Sequence, residues 1–424
     1  EGTVDALLAN TGGTRVRLVA TGPMGTPVNT FYGVIPKTGS AFSRAPEAVA
    51  KTTMASPQTV SDLANPVTDA SKSASASPKS AIAVMETAAV AGLPLVPPDK
   101  RNPLAMTTYG LGECIRHALE HGIRRFIIGL GGSATNDGGL GMLQALGAAF
   151  YDAEGNRLPD FKPIFLRDQP ANNRNTPATV PAKNPETSDE PPHAPQSSPS
   201  PMTVPDMLLR IARVDFATLD PRLKAAELLI ASDVQSPLCG PQGASAVFGP
   251  QKGATPDQVR ILDEALAFYA GKVEQHVGRS FRHRPGAGAA GGLGFAFLSI
   301  GGQIHPGARL VIQASGLADK LPGAHWLITG EGKTDEQTLL GKLPVTLAEM
   351  ARAHGVRTIL VSGSLTGDEK TLEQLYRHFD ALFAIPNRPM TLEEAMRDVR
   401  PLLKATARSI ARLIGSSGSS PNNG

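Results

Sequence analysis

The run Arg125–Phe150 (RFIIGLGGSATNDGGLGMLQALGAAF) constrains this chain more than any other stretch. Arg125–Leu130 reads as a short buried strand, and Leu140–Phe150 reads as a helix. Between them lie Gly131, Gly132, Ser133, Thr135, Asn136 and Asp137, then Gly138 and Gly139. A strand that turns through small residues into a helix lets several backbone N–H groups converge on an anion, and the helix N-terminus adds partial positive charge. Ser133, Thr135 and Asn136 supply further donors, while Asp137 would hold a metal ion or position a hydroxyl. A structural loop with a helix cap is the competing reading; four polar side chains in so short a loop weigh against it.

Strands and helices alternate along most of the chain. Arg15–Ala20 and Asn29–Ile35 would pair across the turn at Pro23-Met24-Gly25. Leu228–Asp233, Trp326–Thr329 and Thr358–Val361 read as further strands. Thr391 and Glu394 form a capping box at the head of the last helix, which Pro401 would kink or divide. This pattern predicts an α/β protein with mainly parallel sheets, whose ligands bind beyond the strands' carboxyl ends. Ser43–Ser80 and Gln169–Val204 are rich in Pro, Ser, Thr and Ala and are expected to be disordered insertions, with a flexible tail at 416–424.

Composition excludes several classes. Charged residues are 19% of the 424 and the net charge is +3, with no concentrated basic stretch for nucleic acid. Cys114 and Cys239 cannot make a disulfide framework and have no metal-ligand spacing, so both are expected reduced in a cytoplasmic protein. There is no membrane-length apolar run and no signal peptide, and the absent initiator Met suggests a fragment or processed product. His117 to His121 matches H-x-x-E-H, but at a helix end these side chains are expected to face solvent. No G-x-S-x-G elbow is present.

Three further places could carry chemistry. Gly286, Gly288, Gly291 and Gly292 form a second glycine cluster, whose formal G-x-G-x-x-G is not preceded by a buried strand; a nucleotide-contacting loop and close backbone packing both remain open. Past Trp326–Thr329 come Glu331, Lys333 and Asp335, then Lys342. Carboxylates and lysines beyond a strand suit phosphoryl transfer, which orients a hydroxyl and neutralises phosphate charge. Asp233 ends another strand and is a candidate metal ligand or base, with a helix cap as the alternative. Lys252 could meet a carboxylate or phosphate. Glu86, Arg101 and Glu113 are weaker candidates.

In this order the clusters resemble the bacterial glycerate kinase family of the glycerate 2-kinase type. The resemblance rests on TGPMGTPVNTFYGV, METAAVAGLPLVPPDKRNPLAMTTYGLGE, IIGLGGSATNDGGLGMLQALGA, ASDVQSPLCGPQGASAVFGPQKGA, PGAGAAGGLGFAF and ITGEGKTDEQTLLGKLP. It implies two α/β domains, one flavodoxin-like, with the active site in a cleft between them. The expected division is 1–42 with 290–415, and 81–289. It implies ATP, Mg²⁺ and D-glycerate, with neither nucleic acid nor membrane as partner, and leaves a homodimer open. Members usually begin with a strand leading to Asp-Ser-Phe/Tyr-Lys. This chain opens at Glu1-Gly2-Thr3 of a later motif, so it is expected to lack the family's extreme N-terminus.

The expected reaction is transfer of the γ-phosphoryl group of ATP to the 2-hydroxyl of D-glycerate. Gly131, Gly132, Ser133, Thr135, Asn136 and Asp137, with Lys333 and Lys342, would hold phosphate or substrate. Gly286, Gly288, Gly291 and Gly292 would contact the nucleotide. Asp233, Asp335, Glu331 and Lys252 are the catalytic candidates, and Asp233 and Asp335 the metal ligands. Two rivals stand beside this reading: a nucleotide-cofactor oxidoreductase, and a non-catalytic nucleotide- or glycerate-binding remnant of the family.

Overall fold

The computed structural model describes residues 2–36, 81–162, 202–340 and 342–416. Of the two expected insertions, only residues 202–204 fall among these; 43–80, 169–201 and the tail beyond 416 lie outside them. Two compact units divide the described residues, 2–36 with 81–305 in the first and 306–416 in the second.

The first unit runs α1 (Thr3–Thr11), β1 (Thr14–Thr21), β2 (Pro27–Pro36), β3 (Ala81–Glu86), α2 (Ala88–Ala91), α3 (Tyr109–Glu120), β4 (Arg125–Gly129) and α4 (Leu140–Ala145). It continues with β5 (Ala149–Tyr151), α5 (Val204–Leu209), β6 (Arg213–Asp215), β7 (Glu227–Ala231), α6 (Ala244–Phe248), α7 (Pro256–Val277), α8 (Ala289–Ser299) and β8 (Gln303–His305). Its main sheet has the order β1-β2-β3-β4-β7-β8, parallel from β3 onward and antiparallel across the β1–β2 hairpin and the β2–β3 pair. The central strands β3, β4 and β7 are buried runs rather than alternating ones, as a sheet covered on both faces requires. α3 buries Leu111, Cys114, Ile115, Ala118 and Leu119, a stripe at helical spacing. α7 starts at a capping box of Thr255 and Gln258 and stops at left-handed Gly278, and it buries Leu262, Leu266, Tyr269 and Val273. Tyr269 meets Phe295 and Phe150 at centroid distances of 6.0 and 6.2 Å.

The second unit runs α9 (Gly307–Ala314), β9 (Trp326–Thr334), α10 (Leu343–Ala353), β10 (Arg357–Leu365), α11 (Glu369–Tyr376), β11 (Ala381–Ala384), α12 (Leu392–Arg397) and α13 (Val399–Ser416). Its three strands are all parallel, in the order β11-β10-β9. Leu360 faces Val345, Leu375 and Phe379 on one side, while Ile359 and Val361 face Leu402 and Ile410 on the other. The expected α/β class with mainly parallel sheets is therefore present in both units. The Thr391–Glu394 capping box forms, and the last helix divides at Asp398. Pro401 falls in the first turn of α13, where a missing N–H costs least.

Three expectations differ from the structure. The chain divides elsewhere than at 42 and 290: Gly33 to Pro36 pair with Val84 to Ala81, which joins the N-terminal residues to the first unit. Residues 290–305 belong there too, because β8 pairs with β7 and Leu293, Phe295 and Phe297 are in its core. The helix expected to reach Phe150 stops at Ala145, since Gly147 at φ 103° turns the chain into β5.

Candidate functional site

The glycine loop leaves β4 at its carboxyl end. Gly131 and Gly132 are exposed, whereas every residue from Ser133 to Leu140 is buried. Backbone bonds from Leu93 N to Gly132 O and from Ala134 N to Ala91 O, both 2.9 Å, pin the loop to the segment after β3. Asp137 has no exposure. Its Oδ2 accepts from Thr108 N at 2.9 Å, Thr108 Oγ1 at 2.8 Å and Gly141 N at 3.2 Å, and its Oδ1 accepts from Gly139 N at 3.0 Å. Burial pushes this carboxyl up from its ordinary value, and the donated bonds act against that. A carboxylate used up in this way folds the loop and caps α4. It is not presented to a metal or a substrate hydroxyl, so the expected role of Asp137 gives way to a structural one.

Lys252 reaches the same loop from the turn after α6. It is 2% exposed, and its Nζ donates to Thr135 O at 2.6 Å and Ser133 Oγ at 3.1 Å. Burial lowers its pKa to about 7, with the charge of Asp137 opposing the shift. Asn136 Nδ2 donates to Ser245 Oγ of α6 at 2.8 Å. Lys252, 119 residues beyond Ser133, thus joins Ser133, Thr135 and Asn136 in one polar cluster beneath exposed backbone.

Unpartnered atoms gather around it. Six buried side-chain polar atoms lack a hydrogen bond among the described residues: Thr87 Oγ1, Arg101 Nε, Thr135 Oγ1, Asn136 Oδ1, Tyr269 Oη and His378 Nδ1. Thr135 and Asn136 are in the loop, and Thr87 N bonds Gly129 O at its entry. A side chain at Gly138 would meet the Tyr269 ring, and one at Gly253, next to Lys252, would meet Arg101. Five of the six therefore lie in or against the loop region. Buried polar groups are normally paired, so their concentration here singles out this loop region as the candidate site.

Gly286, Gly288, Gly291 and Gly292 are buried. A Cβ on Gly291 would strike Thr135 O and Asn136 Cα, and one on Gly292 would meet Gly138 Cα at 2.7 Å. Gly291 O also accepts from Gly138 N at 3.0 Å. Ala290, Gly291 and Gly292 are all left-handed, which re-aims the chain into α8. These glycines let one backbone lie directly on another, which favours the packing alternative over nucleotide contact. The segment before them is the turn after α7 and not a strand, so the dinucleotide rival loses its context.

In the second unit β9 continues to Thr334, so Glu331 and Lys333 lie within the strand rather than beyond it. Pairing with β10 carries them, with Glu331 opposite Ser362 and Lys333 opposite Ser364. Glu331 Oε1 accepts from Thr334 Oγ1 at 2.9 Å and Thr338 Oγ1 at 2.7 Å. Lys333 Nζ pairs with Asp335 Oδ2 at 3.0 Å and, with Gln337 N on Oδ1, holds the carboxyl below its ordinary range. Lys342 is exposed at the head of α10 and adds to that shift. A cleft of about 750 Å³ lies against β9 and β10, lined by Ile328, Val361, Leu403, Ile410 and Ile414 among others, and no Lys or Arg among the described residues lines it. It does not suit phosphate.

Asp233 is exposed two residues beyond β7, where the sequence placed it. Among the described residues no three His, Cys, Asp or Glu side chains converge as a metal site. Mg²⁺ in kinases is held by one or two carboxylates plus the substrate's phosphates; Asp233 in the first unit and Asp335 in the second each present one carboxylate. Two of the weaker candidates are structural, since Glu86 accepts from Thr3 N at 2.6 Å and Glu113 from Thr21 N at 2.6 Å. His117 Nδ1 meets Tyr32 Oη at 3.0 Å and His121 Nδ1 meets His117 O at 2.8 Å, and neither ring belongs to a metal-holding group of three among the described residues. Burial pushes both thiols up to about 12 and both are free, which leaves them unreactive. Thr87, Ser245 and Tyr269 were not singled out from sequence, because nothing local distinguishes them from ordinary buried residues.

The glycerate kinase family model matches residues 1–168 and 196–415. The chain is 36% identical over 416 residues to a glycerate kinase of Bacillus subtilis strain 168, covering 98% of this chain and 86% of that one. It is 33% identical over 415 residues to the glycerate 2-kinase of Escherichia coli K12, with the same two shares. The crystal structure of a Salmonella typhimurium LT2 protein assigned as glycerate kinase 2 matches with a TM-score of 0.70 and 34% identity, over 98% of this chain and 87% of that one. With the family model spanning most of its length, the chain belongs to the glycerate kinase family.

Proposed function

We propose that this protein uses ATP and Mg²⁺ in the cytoplasm to phosphorylate D-glycerate at its 2-hydroxyl. The observation that carries this reading is the Gly131–Asn136 loop: exposed backbone and a hydroxyl gripped by a buried lysine, surrounded by unpartnered polar atoms. Phosphoryl transfer asks a protein for positioning and charge neutralisation rather than covalent chemistry. Gly131 and Gly132 offer N–H groups to an anion, and the Ser133 hydroxyl is fixed in place by Lys252. An anion arriving beside Lys252 raises its proton affinity, so substrate binding itself completes the ammonium. Asp233 orients the attacking hydroxyl or contributes a carboxylate to Mg²⁺, which would neutralise phosphate charge, and Asp335 is the carboxylate candidate of the second unit. Glu331 keeps the end of β9 in shape for Lys333, Asp335 and Lys342.

The 2-hydroxyl follows from the Escherichia coli relative's name; the 3-hydroxyl is the alternative. ATP-dependent turnover of D-glycerate coupled to enolase separates them, because enolase accepts 2-phosphoglycerate and not the 3-isomer. A signal only after phosphoglycerate mutase is added would assign the 3-hydroxyl. Nucleotide or glycerate binding with no product would favour the non-catalytic reading.

A further inference from the structure

Arg101 stands out once the loop's partners are assigned. It follows a short turn at Pro98–Lys100, and the next residue, Asn102, fixes the chain by accepting from Leu104 N at 3.1 Å. Its backbone lies against Gly253, where any Cβ would strike the Arg101 carbonyl, and Gly253 adjoins the lysine that grips Ser133. The Arg101 side chain has no ion pair among the described residues, and its Nε is buried with no acceptor. A desolvated guanidinium N–H without a partner is costly to keep. Surface arginines avoid that cost by leaving the whole head in water.

We propose that Arg101 is the residue that recognises the substrate's carboxylate, holding it beside the Ser133 hydroxyl and the exposed Gly131–Gly132 backbone. The inference rests on the reading of this loop as the substrate site. A planar guanidinium matches the two oxygens of a carboxylate, and the ligand supplies the acceptor that Nε lacks. Lys252 already spends two donors on Ser133 and Thr135, so the planar fork of Arg101 is the group here whose geometry matches the two oxygens of a carboxylate. This contact selects for a small carboxylate, and neutral analogues such as glyceramide should be rejected for want of it.

The test is R101Q and R101K in the full chain, with KM measured separately for D-glycerate and ATP and thermal unfolding followed alongside. For R101Q the KM for D-glycerate should rise about 10- to 100-fold, the effect of losing one charge-assisted contact. The KM for ATP should stay within about twofold. R101K, which keeps the charge and loses the fork, should fall between, so the ordering survives even if one variant folds poorly. R101Q should also lose its preference for D-glycerate over D-glyceramide. An unchanged KM for D-glycerate, or a rise confined to ATP, would overturn the assignment. If the unaltered chain does not turn over D-glycerate, the functional reading fails on its own. Equilibrium binding of D-glycerate to wild type and R101Q then still decides Arg101, and equal affinity would overturn its role.

Discussion

The Lys252 ammonium donates to the Ser133 hydroxyl at 3.1 Å across 119 residues of sequence. It donates also to the Thr135 carbonyl, so one buried side chain fixes both the hydroxyl and the path of the loop.

That lysine leaves a signature in stability against pH. Its folded pKa of about 7 lies below the unfolded value. Between about pH 7 and 10.5 the unfolded chain binds more protons at this residue, so stability rises with pH there. Comparing wild type with K252M by urea unfolding at several pH values should show wild type gaining relative to the variant, by up to about 1.4 kcal/mol per pH unit. Parallel profiles would mean that Lys252 is not buried as described. Turnover in K252M should fall at least tenfold, since Ser133 loses its anchor.

Asp137 tests the loop's architecture. An Asn at 137 must turn an NH₂ group toward donors that now bond a carboxylate, leaving buried N–H groups unpaired. D137N should lose about 2–4 kcal/mol in equilibrium unfolding. A loss under about 0.5 kcal/mol would contradict the four-bond arrangement.

The contact between the two glycine clusters makes opposite predictions at neighbouring positions. G291A places a methyl against the backbone of Thr135 and Asn136 and should cost more than about 2 kcal/mol. A290G relieves a left-handed alanine at φ 52° and should stabilise by about 0.5–1 kcal/mol. Thermal unfolding reads both, and the same sign for both would refute the packing.

D233N and D335N should each reduce turnover by orders of magnitude while the fold survives, because the first is exposed and the second sits at a strand end. Near-normal rates in both, with normal far-UV circular dichroism, would remove the carboxylates from the mechanism.

What could be read from sequence follows from what is local. The strand Arg125–Gly129, the hairpin of β1 and β2 and the Thr391 capping box carry their own signals in apolar runs, turn residues and cap spacing. Two glycine clusters look alike as letters, yet Gly131 opens to solvent while Gly291 lies on the Thr135 backbone; only tertiary contact separates them. Asp137 and Asp233 likewise both follow a buried strand, and only tertiary structure shows the first buried and the second exposed. Gly330 to Lys333 read as loop because glycine weakens strands, and β10 overrides that by pairing with them. The domain division was missed because β2 and β3 pair across 44 intervening residues, 37–80.

The most direct test of the account is ATP-dependent turnover of D-glycerate by this chain, coupled through enolase without phosphoglycerate mutase. The account predicts a signal that requires both ATP and Mg²⁺ and is strongly reduced in K252M. No product under any coupling, from a chain shown to be folded, would contradict it.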